Sequence, residues 1–536
     1  MLTRSSRVLA SLLLGASLAT SALSPPVASA FCGFFVSGAD AQLYNNASQV
    51  VLLRKGNHTV MTMSNNYKGP PEDFAMVVPV PVVLQKENVK TLSSDVFKHI
   101  DELSAPRLVE YWEQDPCYQP VEYKAKGMRS AGAVMPSPAA PRRANEDVGV
   151  TIEAKFEVGE YQILILSAKE SNGLEKRLKL NKYNIPKGAA AALAPYVRDQ
   201  MKFFVAKVDI KKIRRDANGM VVLSPLRFGF DSGELRLPVR LGLLNAESKQ
   251  DLIVYVLSPD SRYEVANYPN LFVPTNIEVA DAVRNSFGSF YAELFDEALR
   301  RNGNRGVVTE YAWQTTSCDP CPTPPLSQND LYMLADEQVF PELATLQMAA
   351  PASSNGSPPS SAPPSAGKVQ SMPPPGPGGP PMRRPFFGRG PTWVLTRMHT
   401  RYDQQTLSED LLFRTAPPVW GGRANWDGTL GDHGARVQPS GANNFQGRYI
   451  IRHYWEGKVE CSSPVYGRWG GRPGAGWNNP MMSSGSGRPE AAKDLANAPR
   501  GKVRLADVVQ SPVPELELKG VARTLRPGEK SPAAPQ

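Results

Sequence analysis

At 536 residues, 41% of them hydrophobic, the chain is long enough to build a sizeable core in one large or two moderate domains. Its net charge of +9 is scattered, the densest groups being Lys211-Lys212 with Arg214-Arg215 and Arg383-Arg384 with Arg389, which argues against nucleic-acid binding and for a solvated or weakly envelope-attracted surface. A mean hydropathy of −0.33, with no second apolar stretch near the roughly 18 residues that span a bilayer, excludes a transmembrane helix in the mature chain.

In chain order, Arg4 and Arg7 precede an apolar run from Val8 to Ala19, and Ala28-Ser29-Ala30 stands before Phe31. A positive head, a short apolar core and small residues at the cleavage site are the pattern of a secretory signal peptide, residues 1–30, cut after Ala30. The expected location is the periplasm, the cell surface or the medium. Phe31 is too bulky before Cys32 for lipoprotein processing.

Gln49 to Arg54 and His58 to Met63 are β-rich runs that Lys55-Gly56-Asn57 joins as a hairpin. Phe74 to Leu84 is apolar but interrupted by Pro79 and Pro81, which predicts an edge strand or a twisted extended segment. Ser93 or Ser94 caps a helix with Val96, Ile100 and Leu103 on one face, and Pro106 breaks or restarts it before Leu108, Tyr111 and Trp112. From about Tyr123 to Asp147 the composition turns to Ala, Pro, Gly and basic residues, as in a disordered insertion.

Thr151 to Val158 and Tyr161 to Leu166 follow as strands on either side of Gly159-Glu160. Helical stretches are expected at Leu174 to Leu180 and at Gly188 to Arg198, the second disturbed by Pro195. Strands accumulate at Lys202 to Ile210, Leu226 to Phe230, Glu234 to Leu243, Leu252 to Leu257 and Arg262 to Val265. Ala280 to Arg300 is the clearest helix, with Val283, Phe287, Phe290, Leu294 and Ala298 at helical spacing as a core stripe, and Val307 to Gln314 is strand-like. Pro351 to Pro381 holds 11 prolines in 31 residues and cannot bury enough apolar surface to offset its ordering entropy. Thr392 to His399 and Tyr449 to Trp455 are further strands, and past Cys461 only Val503 to Val509 stands out from a Gly/Pro/Ser-rich tail.

Strands dominate, helices are interspersed, and no regular strand–helix alternation occurs, so the fold class is α+β. The expected organisation is a main domain over 31–348, a Pro-rich linker over 349–391, a small C-terminal β-rich segment over 392–461 and a mostly disordered tail over 462–536.

Cys32, Cys117, Cys318, Cys321 and Cys461 all lie in the mature chain, where an oxidising compartment makes disulfides the default. The odd number leaves one thiol over and the connectivity open. Cys32, Cys117, Cys318 and Cys321 are the disulfide candidates. Cys318-Asp319-Pro320-Cys321 has C-x-x-C spacing, but Pro322, Pro324 and Pro325 follow at once, favouring a stapled loop over the helix N-terminus that activates a redox thiol. No second pair or nearby His completes a zinc site.

His58, His99, His399, His433 and His453 stand alone in sequence, and there is no H-E-x-x-H, G-x-S-x-G or Walker A pattern. No catalytic residue, metal ligand or cofactor is therefore assigned. The acidic neighbours Glu72-Asp73 and Asp101-Glu102 read as solvated charges, and Tyr111-Trp112 with Tyr454-Trp455 read as packing before ligand stacking.

Phe31-Cys32-Gly33-Phe34 and the run from Gly69 to Pro81 resemble the start of the bacterial domain of unknown function 2330. Tyr111 to Cys117, Ser224-Pro225-Leu226-Arg227-Phe228 and Cys318 to Cys321 are similar to its later blocks, so that the resemblance runs from Phe31 to roughly Arg423. It implies an exported bacterial protein and brings no activity or catalytic residue with it. The resulting expectation is a non-catalytic binding or structural protein with an unknown envelope or extracellular partner. The alternative is an exported thiol–disulfide oxidoreductase using Cys318 and Cys321, or a hydrolase with dispersed acidic residues.

Overall fold

The hairpin at the start of the ordered chain is closed by Gly56, whose φ of +59° suits the tight turn between Lys55 and His58, the last facing pair of strands Tyr44–Lys55 and His58–Lys68. Alternate side chains of these strands go to opposite faces: Val50, Leu52, Met61 and Met63 into one core, Val51, Leu53 and Val60 into another. This two-sided burial organises the molecule. The computed structural model describes residues 34–37, 44–68, 74–117, 151–168, 173–176, 188–209, 211–215, 221–245, 249–318, 321–341, 343, 392–422, 437–471, 490–491 and 498–521. The expected insertion at 123–147, the linker at 349–391 and the signal segment at 1–30 lie outside them.

The largest sheet runs in the spatial order Gln438–Pro439, Val419–Gly421, Asn444–Gln446, Val307–Gln314, Trp393–Tyr402, Gln250–Pro259, Tyr44–Lys55, His58–Lys68, Leu226–Asp231 and Val89–Thr91, with Asn270–Leu271 alongside Val307–Gln314. Most neighbours are antiparallel, but Gln250–Pro259 runs parallel to Tyr44–Lys55. Trp393–Tyr402, from the segment expected at 392–461, pairs along its whole length with Gln250–Pro259 in the middle of this sheet. That segment and the main domain thus share one sheet.

A second sheet, Phe34–Ser37, Phe74–Val80, Lys202–Val208, Tyr161–Ser167 and Thr151–Val158, covers one face of the first, and Met76, Val78, Ile163, Ile165, Phe204 and Ala206 fill the space between. Helix Ala189–Arg198 packs Leu193 and Tyr196 on its far side. Phe74–Val80 is interior to this sheet, where an edge strand was expected; Pro79 is accommodated because the Phe34–Ser37 partner ends opposite Val77.

The other face of the largest sheet is covered at one end by helices Asp95–Ser104 and Gln328–Leu334 and at the other by helix Phe287–Arg301. The last follows a 3-10 turn, Asp281–Asn285, inside the expected helical stretch. After Pro106 the chain forms the strand Arg107–Glu113, not a resumed helix. It pairs in parallel with Arg448–His453, which supplies Tyr449 and Ile451 to the core beneath helix Phe287–Arg301. Glu234 to Leu243 is strand only over Leu235–Leu237 before a 3-10 turn at Arg240–Asn245. In the C-terminal part, Val509, Val513 and Leu516 are buried against the same helix, with the short helix Leu505–Val508 inside the expected Val503 to Val509 stretch.

Cys117 pairs with Cys461 across 344 positions, and Cys318 pairs with Cys321 across three. On chain entropy alone, closing the long ring contributes up to about 6 kcal/mol and the short one about 2 kcal/mol. The fold is α+β and disulfide-linked.

Candidate functional site

Strand Trp393–Tyr402 alternates strictly. Met398 and Tyr402 enter the core between the two sheets, while Trp393, Leu395, Arg397, His399 and Arg401 share the opposite face. Trp393 and Leu395 sit in the hydrophobic cluster under helix Asp95–Ser104, and the three cations that follow run from there towards helix Phe287–Arg301. Arg397 and His399 are each only 1% exposed, so they need partners.

The neighbouring strand supplies the first through a bulge. Thr309 faces Met398 and Tyr311 faces Arg397, which leaves Glu310 as the extra residue and puts its side chain on the cationic face together with Val308 and Tyr311. Glu310 Oε2 accepts Arg397 Nε–H at 2.5 Å, and Oε1 takes His399 Nδ1 at 2.9 Å and the Tyr291 hydroxyl at 2.8 Å. The other His399 nitrogen meets Asp251 Oδ1 at 3.1 Å, and the Phe295 ring stacks on the imidazole at 4.2 Å. Towards helix Asp95–Ser104, Arg397 donates to Asp101 Oδ1 at 2.5 Å and to the Tyr255 hydroxyl, which itself donates to Asp101 at 2.7 Å. Towards helix Phe287–Arg301, Asp296 pairs with Arg401 at 3.0 Å and Arg500 at 2.8 Å, and Arg500 stands 3.6 Å from Asp251.

These contacts form one ionic seam across the sheet face. Four cations (Arg397, His399 as imidazolium, Arg401, Arg500) meet four carboxylates (Asp101, Asp251, Asp296, Glu310). Burial pushes hardest on Glu310, towards the neutral acid, yet His399 and Arg397 outweigh it and hold the carboxyl at about 2. Burial likewise opposes the charge on His399, but Glu310 and Asp251 raise it to about 9, so the imidazolium persists at neutral pH. Asp296 is shifted upward by burial, with Arg401 acting against that.

The seam ends in a cleft of about 650 Å³ between helix Phe287–Arg301 and the chain from Gly501 to Leu518, within the range of small-ligand pockets. Arg401 and Asp296 form its inner wall, Lys249, Arg300 and Arg504 add positive charge, and Glu293 adds negative charge.

A second clamped histidine lies at the far side of the sheet. His58 Nδ1 meets Asp231 and Nε2 meets Asp336, each at 2.8 Å. Burial works against its charge, but the two carboxylates raise its pKa overall. Neither His58 nor His399 has a ring nitrogen left to serve as a general base for a nucleophile. Among the described residues, no cluster of three or more His, Cys, Asp or Glu side chains is arranged to hold a metal ion.

Of the sequence candidates, Cys117 is bonded to Cys461, Cys318 to Cys321, and Cys32 lies outside the described residues. Asp101, read from sequence as a solvated charge, accepts Arg397 and Tyr255. His399, isolated in sequence, has its two carboxylate partners 89 and 148 positions away. Tyr111 is buried with its hydroxyl accepting from Arg448, while Trp112 stacks on His453 at 4.5 Å and the Tyr454 hydroxyl donates to Glu278. Glu72-Asp73 and His433 are outside the described residues. Glu310, Arg397 and Asp251 carried no motif. The signal was the stripe of cations at alternate positions, Arg397, His399 and Arg401, in an otherwise apolar strand.

Fold and site together define a disulfide-linked α+β protein whose largest sheet buries a charge-balanced seam opening into a small cleft. The chain belongs to the bacterial family DUF2330, described as an uncharacterized protein conserved in bacteria, which matches residues 26–414. That match holds seven of the eight seam residues; Arg500, Cys461 and the Gly501–Leu518 wall of the cleft lie beyond it. No curated protein and no solved structure matches the chain. Among the described residues no helix is long and apolar enough to cross a membrane.

Proposed function

We propose that the protein is exported to the bacterial periplasm, cell surface or surrounding medium and acts by binding, without turnover, through the cleft at the end of the ionic seam. The observation that carries this reading is the engagement of both His399 nitrogens by carboxylates, with Arg401 and Asp296 fixed at the cleft wall by the same network. Such a network is built to hold a rigid, charged surface, not to move a proton. Export is supported by the signal-like residues 1–30 and by the long-range Cys117–Cys461 pair, which an oxidising compartment maintains. The cleft offers both signs of charge beside Leu299, Val503 and Leu505, which suits a small ligand with charged groups on a short apolar body.

Two measurements test this. N-terminal sequencing of protein from the extracytoplasmic fraction should begin at Phe31. Thermal-shift titration of the mature protein with amino acids, short peptides and dicarboxylates should give at least one solute that raises Tm in the wild type and not in Arg504→Glu, an exposed cleft residue. A panel that leaves Tm unmoved, or a bound solute that is chemically converted, rejects the reading.

A further inference from the structure

The loop between strand Val307–Gln314 and helix Gln328–Leu334 carries a disulfide that the cleft does not use. Cys321 is exposed, whereas Cys318 is half-buried and packs on the hydrophobic cluster that contains Trp393 and Leu326. The loop is anchored on both sides of the bridge by bonds that involve no sulfur. On one side the Thr315 amide donates to the Trp393 carbonyl at 2.9 Å, and the Trp313 indole N–H donates to Ser317 Oγ at 3.2 Å. On the other, His99 Nε2 donates to the Pro324 carbonyl at 2.9 Å, Leu326 is buried, and Ser327 Oγ caps the helix by accepting the Asp330 amide at 3.2 Å.

With three positions between its partners, the bridge restrains the unfolded chain far less than Cys117–Cys461 does. Its opening releases nothing that other contacts do not already hold. A disulfide that the fold barely needs and that exposes one sulfur to solvent has the properties of an exchangeable bond.

We propose that Cys318–Cys321 is a thiol–disulfide exchange site for a protein dithiol, with Cys321 as the sulfur under attack. A thiolate of the partner attacks Cys321 Sγ; the partner–Cys321 bond forms, the Cys318–Cys321 bond breaks, and Cys318 Sγ leaves with the electron pair and takes up a proton. The partner's second thiolate then attacks its own bridged sulfur, which closes the partner's disulfide and releases Cys321 as a thiolate that is protonated in turn. The partner dithiol is oxidised by two electrons, and the Cys318–Cys321 disulfide is reduced to two thiols. Shielding of Cys318 by the hydrophobic cluster directs the attack to Cys321. This activity is independent of the binding cleft.

The test uses the mature protein carrying Cys32→Ser, so that every remaining cysteine belongs to a bridge, with dithiothreitol as the dithiol. Samples equilibrated at increasing dithiothreitol are alkylated and mapped by peptide mass spectrometry, with circular dichroism recorded in parallel. The expected result is half-opening of Cys318–Cys321 at a concentration at least tenfold below that for Cys117–Cys461, with an unchanged spectrum. In the single variants, Cys321 in Cys318→Ser should react with an aromatic disulfide reagent at least tenfold faster than Cys318 in Cys321→Ser. Opening of both bridges together, opening only on unfolding, or equal rates in the two variants would overturn the proposal.

Discussion

Glu310 accepts the Arg397 Nε–H at 2.5 Å in the interior of the largest sheet, and it reaches that position because it is the extra residue of a β-bulge. Without the bulge the two-residue period would turn either Glu310 or Tyr311 to the other face. Glu310→Ala leaves Arg397 and His399 buried and short of a counter-charge, so the expected loss is about 3–5 kcal/mol, read from the urea midpoint. Glu310→Gln keeps an acceptor oxygen for one of them and should cost clearly less. A Glu310→Ala protein within about 1 kcal/mol of wild type would mean that the seam does not bear on stability.

The seam also fixes the pH dependence. His399 is raised from 6.5 to about 9, so the stability it contributes is fully present below 6.5 and is lost as pH rises through about 9. The shift corresponds to about 3 kcal/mol over that window, and His58, also raised, acts in the same direction. Glu310, lowered from 4.5 to about 2, contributes stability above 4.5 that disappears as pH falls through about 2. These are two views of one interaction and do not add. Urea midpoints measured from pH 5 to 10 should therefore fall on the alkaline side, and His399→Gln should flatten that limb. An alkaline limb unchanged in His399→Gln would show that the imidazolium is not what titrates.

Local signals in the chain were readable where one residue type decides the backbone. Lys55-Gly56-Asn57 marked its hairpin because only glycine takes the turn conformation at no cost, and the stripe Val283, Phe287, Phe290, Leu294 and Ala298 marked its helix through its period. Pro106 misled because a proline ends a helix equally well before another helix or before a strand, and the choice was made by pairing with Arg448–His453, more than 300 positions away. The site was harder still. Val307 to Gln314 reads as an ordinary strand, and nothing local announces that Glu310 is bulged or that Asp251 and Asp101 converge on the same face. The cations at 397, 399 and 401 were visible, but their meaning depended on partners brought in from three other elements.

Cysteine pairing shows the same limit. Spacing pointed to Cys318 and Cys321 and said nothing of Cys461, whose amide lies 3.1 Å from Cys117 Sγ beyond the Gln114–Arg468 backbone hydrogen bond. Cys117→Ser should lower stability by about 2–5 kcal/mol, whereas Cys318→Ser with Cys321→Ser should cost no more than about 2 kcal/mol. Thermal unfolding of the two variants under non-reducing conditions makes the comparison. The reverse order would make the short bridge the structural one and would also remove the ground for treating it as exchangeable.

Gly422 separates steric collision from backbone strain. Its φ is +71°, and a Cβ there would run into the Gln446 carbonyl and press on Thr275 Oγ1, because the Val419–Gly421 strand lies against Asn444–Gln446 at this point. Gly56 has a similar φ of +59° but open space where a Cβ would stand. Both Gly→Ala changes force a left-handed backbone on a residue that resists it, at a cost of about 1 kcal/mol. Only Gly422→Ala also displaces a backbone carbonyl, so it should lose at least about 2 kcal/mol and Gly56→Ala about 1 kcal/mol in chemical denaturation. Because Gly422 lies beyond residues 26–414, a large loss there would also show that the strands outside the family match carry part of the stability of the shared sheet. Equal losses at the two positions would mean that the sheet yields at its Val419–Gly421 end and that the close approach to Gln446 is not enforced in solution.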